Sequence, residues 1–197
     1  MNENALIRRR LSPDDRKAQL LKAAISCYAR MGVERAGHGD IAKLSAVSTA
    51  TVFNYYPTRD TLTNAVLRHI EQEVLSVFDT SQNPQTLDMT ARSKILLLAL
   101  KIDQIITQRP DVMKVLLNWS VSFGENIRPQ FLAFQDNIIN KIHTIIKGHE
   151  PFGNPGERAE ARIIVGAALT YIMMKLDNSD AETLKTFVTR LTHLIPE

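Results

Sequence analysis

Apolar residues recur at spacings of three and four along most of the chain, and no stretch alternates apolar with polar residues. The pattern is clear over 20–31, 95–105 and 131–146, where it places the apolar side chains on one face of a helix. Only eight glycines and eight prolines occur in 197 residues, which leaves few turns for a chain of short strands. The sequence therefore predicts an all-α fold of about nine helices.

Composition excludes several other classes of protein. A single cysteine, Cys27, excludes an intramolecular disulfide framework and a multi-cysteine zinc site. The longest nearly apolar stretch, 163–174, is too short to cross a bilayer, and the first ten residues lack the apolar core of a secretory signal. We therefore expect a cytoplasmic protein that has no membrane partner.

Sequence motifs for catalysis are missing. The chain has no HExxH, ExxH, GxSxG or Walker A sequence, and Gly37-His38-Gly39 is not followed by the rest of a dinucleotide fingerprint. We therefore expect no catalytic residues, no cofactor and no metal site, and the chain is predicted not to be an enzyme.

Positive charge is concentrated in the first third of the chain. Residues 1–60 carry ten lysines and arginines against six acidic residues, whereas residues 61–197 carry fourteen against fifteen. A basic segment beside a nearly neutral body is typical of a protein that binds a polyanion. A solvated basic surface is the alternative that charge alone leaves open.

Capping residues divide the first third into short helices. Ser12 precedes a proline and two acids, and Ser48 and Thr58 are further N-cap candidates. A short helix over 40–46 lies just before Ser48, and Pro57 ends the helix that Ser48 begins. We expect these two short helices to bury Ile41, Ala42, Leu44, Val52, Phe53 and Tyr56.

This succession predicts a helix-turn-helix head over residues 1–57, with a basic arm over 1–11, and a helical body over 58–197. The second short helix would present a face of small and amide side chains that fits the major groove of DNA. This predicted face consists of Ser48, Thr49, Ala50, Thr51, Asn54 and Tyr55. Asn54 can pair with adenine, while Tyr55, Thr58 and Arg59 are placed for phosphates. A plain polar helix face is the alternative.

The segment from Ile41 through Val47-Ser48 and Tyr55-Tyr56-Pro57 to Leu62 resembles the DNA-binding domain of TetR-type transcriptional regulators. Many of these proteins have glycine in the turn of the motif, where this chain has Ala46. The resemblance implies a homodimer that binds palindromic double-stranded DNA, and a body that commonly holds a small-molecule cavity.

Three segments resemble more closely the quorum-sensing master regulators of vibrios, the LuxR/HapR/SmcR group of the TetR fold. They are RRRLSPDDRKAQLL (8–21), GHGDIA (37–42) and VSTATVFNYYPTRDTL (47–62). This resemblance implies that Arg8, Arg9 and Arg10 enter the minor groove beside the major-groove helix. A solubilising tail is the alternative for these three arginines. The resemblance to this group also implies that the protein has no established native inducer.

The last two helices are the candidate dimer interface, because glycine and alanine let helices approach closely. The predicted interface consists of Ile164, Gly166, Ala167, Ala168, Leu169, Ile172, Met173, Leu184, Phe187, Val188 and Leu191. The alternative is that these residues only fill the core of one chain.

An aromatic and methionine set in the body is a candidate pocket for a small apolar ligand. Its members are Met113, Leu117, Trp119, Phe123, Phe131, Phe134 and Met173. An ordinary core is the alternative for the same residues.

The sequence thus favours a homodimeric, sequence-specific DNA-binding regulator of TetR type, with the vibrio resemblance implying a role in quorum sensing. A ligand-released repressor of efflux or catabolic genes is a second interpretation. A third is an all-α enzyme or small-molecule carrier with a vestigial helix-turn-helix. Weak binding to DNA that does not depend on salt would favour the third.

Overall fold

The computed structural model describes residues 11–82, 88–148, 151–193 and 195. Within these ranges the chain forms nine α-helices, one 3₁₀ helix over Ser76–Gln82 and no strand, so the predicted all-α fold is confirmed. The α-helices are α1 (Pro13–Met31), α2 (His38–Leu44), α3 (Thr49–Tyr55), α4 (Arg59–Leu75), α5 (Ala91–Gln108), α6 (Pro110–Ser120), α7 (Arg128–Lys147), α8 (Pro155–Leu176) and α9 (Ala181–Thr192).

Side-chain caps begin three of the four helices at the N-terminal end, as predicted. The hydroxyls of Ser12, Ser48 and Thr58 each accept a hydrogen bond from the amide three residues later, at 3.1 Å. Such caps satisfy an amide that has no partner within the helix. Short local sequences therefore determine where these three helices begin.

The turn between α2 and α3 contains a left-handed residue. Ala46 has φ +52°, a conformation that usually favours glycine because a Cβ crowds the backbone there. The Val47 amide donates to the Ala42 carbonyl at 3.0 Å and closes the turn. The chain therefore keeps the turn geometry with alanine where the resembled proteins often have glycine.

The core of the head is built around α1 and continues into the body. Fully buried side chains of the head include Leu20, Ala24, Tyr28, Ala36, Ile41 and Val52, and Leu62 of α4 belongs to the same apolar cluster. Helix α1 also contacts α6, so the same apolar cluster includes Met113, Trp119 and Phe131 of the body. The predicted boundary at residue 57 falls between α3 and α4, and the core does not break there.

A second apolar cluster fills the far end of the body, where the 3₁₀ helix, α5, α7 and α8 meet. Helix α4 runs from the head to this end, since Arg59 begins it beside α3 and the 3₁₀ helix continues it. No helix in the described ranges is long and apolar enough to cross a membrane.

Two predicted side-chain directions are wrong. Leu44 and Phe53 were expected to be buried but are 48% and 45% exposed. The buried stripe of α2 and its C-cap runs through His38, Ile41, Ala42 and Ser45. Leu44 lies off this i, i+3, i+4, i+7 stripe, and Phe53 lies beside the buried Val52 rather than in line with it.

Candidate nucleic-acid interface

Helix α3 presents a continuous exposed face next to the turn. Thr49, Ala50, Phe53 and Asn54 are exposed. The last three follow Thr49 by one, four and five residues, which places all four on one side of the helix. On the other side Val52 is fully buried and anchors α3 in the head. The exposed side chains can therefore enter a groove while the helix stays fixed to the domain.

Ser48 and Thr51 are tied to each other at the start of α3. The Ser48 hydroxyl accepts from the Thr51 amide, and the two hydroxyl oxygens lie 2.9 Å apart. Thr51 is half-buried, whereas Ser48 is exposed. These two residues of the predicted face therefore hold the first turn of α3 together and flank the exposed side chains.

The structure also places the predicted phosphate-contacting residues. Thr58 is exposed and caps α4, and Tyr55 is half-buried against the core of the head. The exposed Arg59 guanidinium donates to the backbone carbonyl of Glu34. Arg8, Arg9 and Arg10 lie outside the described residues.

Phe53 is the residue of this face that the sequence interpretation missed. It was expected in the core, yet its side chain is exposed and its ring stacks on the side chain of His38. The signal was available in the spacing, because position 53 lies four residues after Thr49 and follows the buried Val52 directly.

An apolar cavity of about 110 Å³ lies in the body between the end of α4, the 3₁₀ helix and α5 to α9. Gln135 and Tyr171 are the polar residues of a lining that is otherwise apolar. Of the predicted pocket residues, Phe131 and Phe134 line this cavity.

The other five predicted pocket residues do not line this cavity. Met113 and Trp119 are buried in the neighbouring core, and Leu117 packs against that core half-buried. Trp119 stacks on Phe134 with ring centroids 5.1 Å apart, so the aromatic set largely fills its own space. Phe123 and Met173 are 76% and 46% exposed, because Phe123 follows the end of α6 and Met173 lies on the outer face of α8.

The predicted dimer residues divide between the two faces of α8 and α9. Gly166 and Met173 are exposed on α8, and among the described residues a Cβ at Gly166 would meet no atom within 4 Å outside the backbone of its own helix. Leu184 is buried within the chain. Eight others line the cavity and are at least half-buried: Ile164, Ala167, Ala168, Leu169, Ile172, Phe187, Val188 and Leu191. Ile163, which was not predicted, is 57% exposed beside Gly166.

A polar cluster holds α5 against α8 at the wall of the cavity. The Asp103 carboxylate accepts from the Tyr171 hydroxyl and lies close to the Lys175 ammonium, both at 2.7 Å. Burial opposes ionisation of Asp103, but these two donors outweigh it and hold the pKa of the carboxyl below its usual value. Burial and the neighbouring carboxylate raise the pKa of Tyr171, so its hydroxyl remains a donor.

Comparison with known proteins links this geometry to one fold. The chain is 38% identical over 126 residues to the HTH-type transcriptional regulator LuxR of Vibrio harveyi, a match that covers 64% of this chain and 60% of LuxR. The chain thus matches less than two thirds of that relative's length. No protein-family model matches the chain.

Solved structures agree on the architecture. A TetR-like transcriptional regulator from Rhodococcus sp. RHA1 superposes with a TM-score of 0.78 at 15% identity, covering 94% of this chain and 96% of that one. The transcriptional regulator FadR from Bacillus subtilis, solved in complex with stearoyl-CoA, gives a TM-score of 0.69 at 15% identity over 90% and 97%. The chain therefore has the TetR-type fold, and the resemblance to TetR-type regulators and to the LuxR group is confirmed.

Proposed function

Starting from the TetR-type fold, we propose that the chain is a homodimeric, sequence-specific DNA-binding transcriptional regulator that acts on palindromic operators in the cytoplasm. The observation that carries this proposal is the exposed face of α3, where the side chains of Thr49, Ala50 and Asn54 are accessible to solvent. A short helix of this kind, anchored by a buried valine and preceded by a tight turn, is how helix-turn-helix proteins present side chains to the major groove.

The side chains of the face suit base edges. The amide of Asn54 can pair with N6 and N7 of adenine, and the methyl groups of Thr49 and Ala50 can contact the thymine methyl group. Arg59 would position the head on the phosphates. Because a guanidinium has five N–H donors, it can keep its bond to the Glu34 carbonyl while it contacts a phosphate.

One α3 can contact only a few base pairs, so we expect the chain to bind DNA as a dimer. Two copies related by a twofold axis would place their α3 helices about 34–36 Å apart, one helical turn of DNA. The outer face of α8 offers exposed apolar and small residues for this contact, namely Ile163, Gly166 and Met173. Gly166 and Met173 belong to the predicted set and Ile163 does not, whereas most of the predicted set lines the cavity of its own chain.

The similarity to LuxR of Vibrio harveyi supports a role as a quorum-sensing master regulator. In that case, the amount of protein in the cell would control operator occupancy, and no inducer would be needed. A reporter driven by the operator selected for this chain should then respond to cell density through expression of the protein.

The cavity favours a second candidate, a repressor released from DNA by a ligand. Its volume of about 110 Å³ is below the roughly 300–1,000 Å³ of most ligand sites, so it suits a single-ring apolar molecule as it stands. FadR was solved with stearoyl-CoA, a much larger ligand. A small apolar compound that lowers operator affinity in a binding assay would favour this candidate.

A salt titration of DNA binding tests the proposal. Affinity for a selected operator, measured by fluorescence anisotropy, should fall by about 10³–10⁵ between 50 and 200 mM salt if six to ten phosphates are contacted. Weak binding with a flat salt dependence would contradict the proposal and favour an enzyme or carrier with a vestigial head.

A further inference from the structure

His38 joins the beginning of α2 to the end of α3. It is the first residue of α2 and is 8% exposed. Its Nε2 lies 2.6 Å from the backbone carbonyl oxygen of Tyr56, the C-cap of α3. Its ring also stacks on Phe53, with ring centroids 4.0 Å apart and planes 9° from parallel. One side chain therefore touches α3 at two points near its C-terminal end.

The chemistry of the contact fixes the state of the imidazole. A carbonyl oxygen only accepts hydrogen bonds, so Nε2 must carry a proton and donate it to Tyr56. A buried leucine or phenylalanine in this place would fill the space without this directional bond. The His38 ring therefore does more than occupy volume, because the hydrogen bond and the stack together restrict how α3 can rotate.

The other end of α3 is held by different groups. The Ser48 hydroxyl caps the first turn, and the Val47 amide bonds to the Ala42 carbonyl at 3.0 Å. These contacts hold the start of the helix, but Asn54 lies in its last turn, directly after Phe53. His38 contacts this end of the helix at Phe53, directly before Asn54, and at the carbonyl of Tyr56, while Tyr55 packs against the core of the head.

We propose that His38 is a positioning residue that sets the rotation of α3 and thereby the base discrimination by Asn54. This inference rests on the proposed DNA-binding function. A bidentate amide–adenine pair needs two aligned hydrogen bonds, so a small rotation of the helix weakens the specific pair. Contacts to phosphates tolerate such a rotation better because they carry no base information.

Two substitutions separate the two contacts. His38→Phe keeps a ring for the stack but loses the donor, and His38→Gln keeps an N–H donor but loses the ring. The measurement is the ratio of affinities for the selected operator and for the same operator with the Asn54-dependent base changed. Each substitution should lower this ratio by about tenfold, the effect of one lost hydrogen bond or stack, while affinity for random DNA stays unchanged. His193→Phe, at the exposed C-cap of α9, is the matched control and should leave the ratio unchanged.

A double substitution tests whether His38 acts through Asn54. In an Asn54→Ala background, His38→Gln should no longer change discrimination at that base, because the reading side chain is gone. A merely structural His38 would instead lower the midpoint of thermal unfolding and leave the ratio as in the wild type. That result would overturn the inference.

The wild-type protein supplies an independent test, which holds even if a variant fails to fold. A two-bond ¹H–¹⁵N correlation spectrum should show His38 with its proton on Nε2, and a proton on Nδ1 alone would overturn the inference. Absence of any salt-dependent, sequence-selective binding by the wild type would contradict the proposed function itself. Selective binding by the wild type together with unchanged ratios in both His38 variants would contradict this inference alone.

Discussion

The hydroxyl oxygens of Tyr28 and Thr63 lie 2.9 Å apart in the interior and join α1 to α4. Tyr28 is fully buried and Thr63 is 6% exposed, so neither hydroxyl can readily exchange this partner for water. Burial raises the pKa of Tyr28, which keeps the hydroxyl protonated. The pair therefore ties the central helix of the head to the helix that leads into the body.

Removal of one partner of this pair should be costly. Tyr28→Phe leaves the Thr63 hydroxyl buried without its partner, and we expect it to lower the free energy of unfolding by about 1–3 kcal/mol. The double variant Tyr28→Phe/Thr63→Val replaces both groups by apolar ones and should recover most of this loss. Urea unfolding measures both effects, and equal losses in the single and double variants would contradict the account.

Asn54→Ala should remove discrimination at one base position in each half-site. A bidentate amide–adenine pair is worth about 1–3 kcal/mol, so affinity for the preferred operator should fall while operators already changed at that base bind as before. Competition binding against a panel of single-base operator variants measures this. The control is Asn137→Ala, at an exposed position of α7. Uniform weakening on every operator would show that Asn54 does not read a base.

Gly166→Leu should disturb dimerisation and leave the fold of each chain intact. Among the described residues, a Cβ at this position meets nothing within 4 Å outside the backbone of its own helix. Glycine costs a helix about 0.8–1 kcal/mol relative to alanine, and leucine ranks close to alanine. Any loss of self-association would therefore be caused by contact of the new side chain with the partner chain, and not by unfolding. Sedimentation velocity gives the result, with Asn137→Leu as a control that adds the same side chain elsewhere. A dimer that persists in Gly166→Leu would place the interface on another face.

Stability should fall in mild acid because of His69. Arg109 donates to His69 Nε2 at 2.8 Å, so the imidazole accepts and is neutral there. Burial, followed by the charge of Arg109, lowers the pKa of His69, and Glu73 opposes this only in part. Since the folded state favours the neutral ring, its stabilising contribution is complete above pH 6.5 and is lost as the pH falls toward the lowered pKa.

His69→Gln should reduce this pH dependence, because an amide at that position does not titrate. Urea unfolding at pH 8 and pH 5.5 measures the difference, and the exposed His193→Gln serves as the control. The same loss of stability in wild type and His69→Gln would assign the effect to other groups.

The helix order and the exposed face of α3 were predictable because they depend on local sequence. Ser48 caps its own helix, and Thr49, Ala50 and Asn54 lie on the side opposite the buried Val52. The spacing also places Phe53 on this face, but it does not predict which residue its ring stacks on. Its partner is His38, fifteen positions earlier, and periodicity does not show that an imidazole will cover one face of an aromatic ring.

The body was harder to predict for a similar reason. Helices α8 and α9 are apolar on more than one side, so the sequence does not distinguish the side that lines a cavity from the side that meets a partner. Ile164 and Ile172 lie on the inner side of α8, whereas the adjacent Ile163 and Met173 are exposed. Tertiary packing with α5 and α7 decides which of these neighbours is buried.

Selection of binding sites from a random DNA library by the purified full-length chain is the most direct test of the proposed regulator. If paired α3 helices read the major groove, the enriched sequences should form a palindrome whose half-site centres are about 10 base pairs apart. Selection by Asn54→Ala should then yield the same palindrome with one position in each half relaxed. Recovery of no enriched sequence, or of a motif that Asn54→Ala leaves unchanged, would contradict the claim that α3 reads DNA.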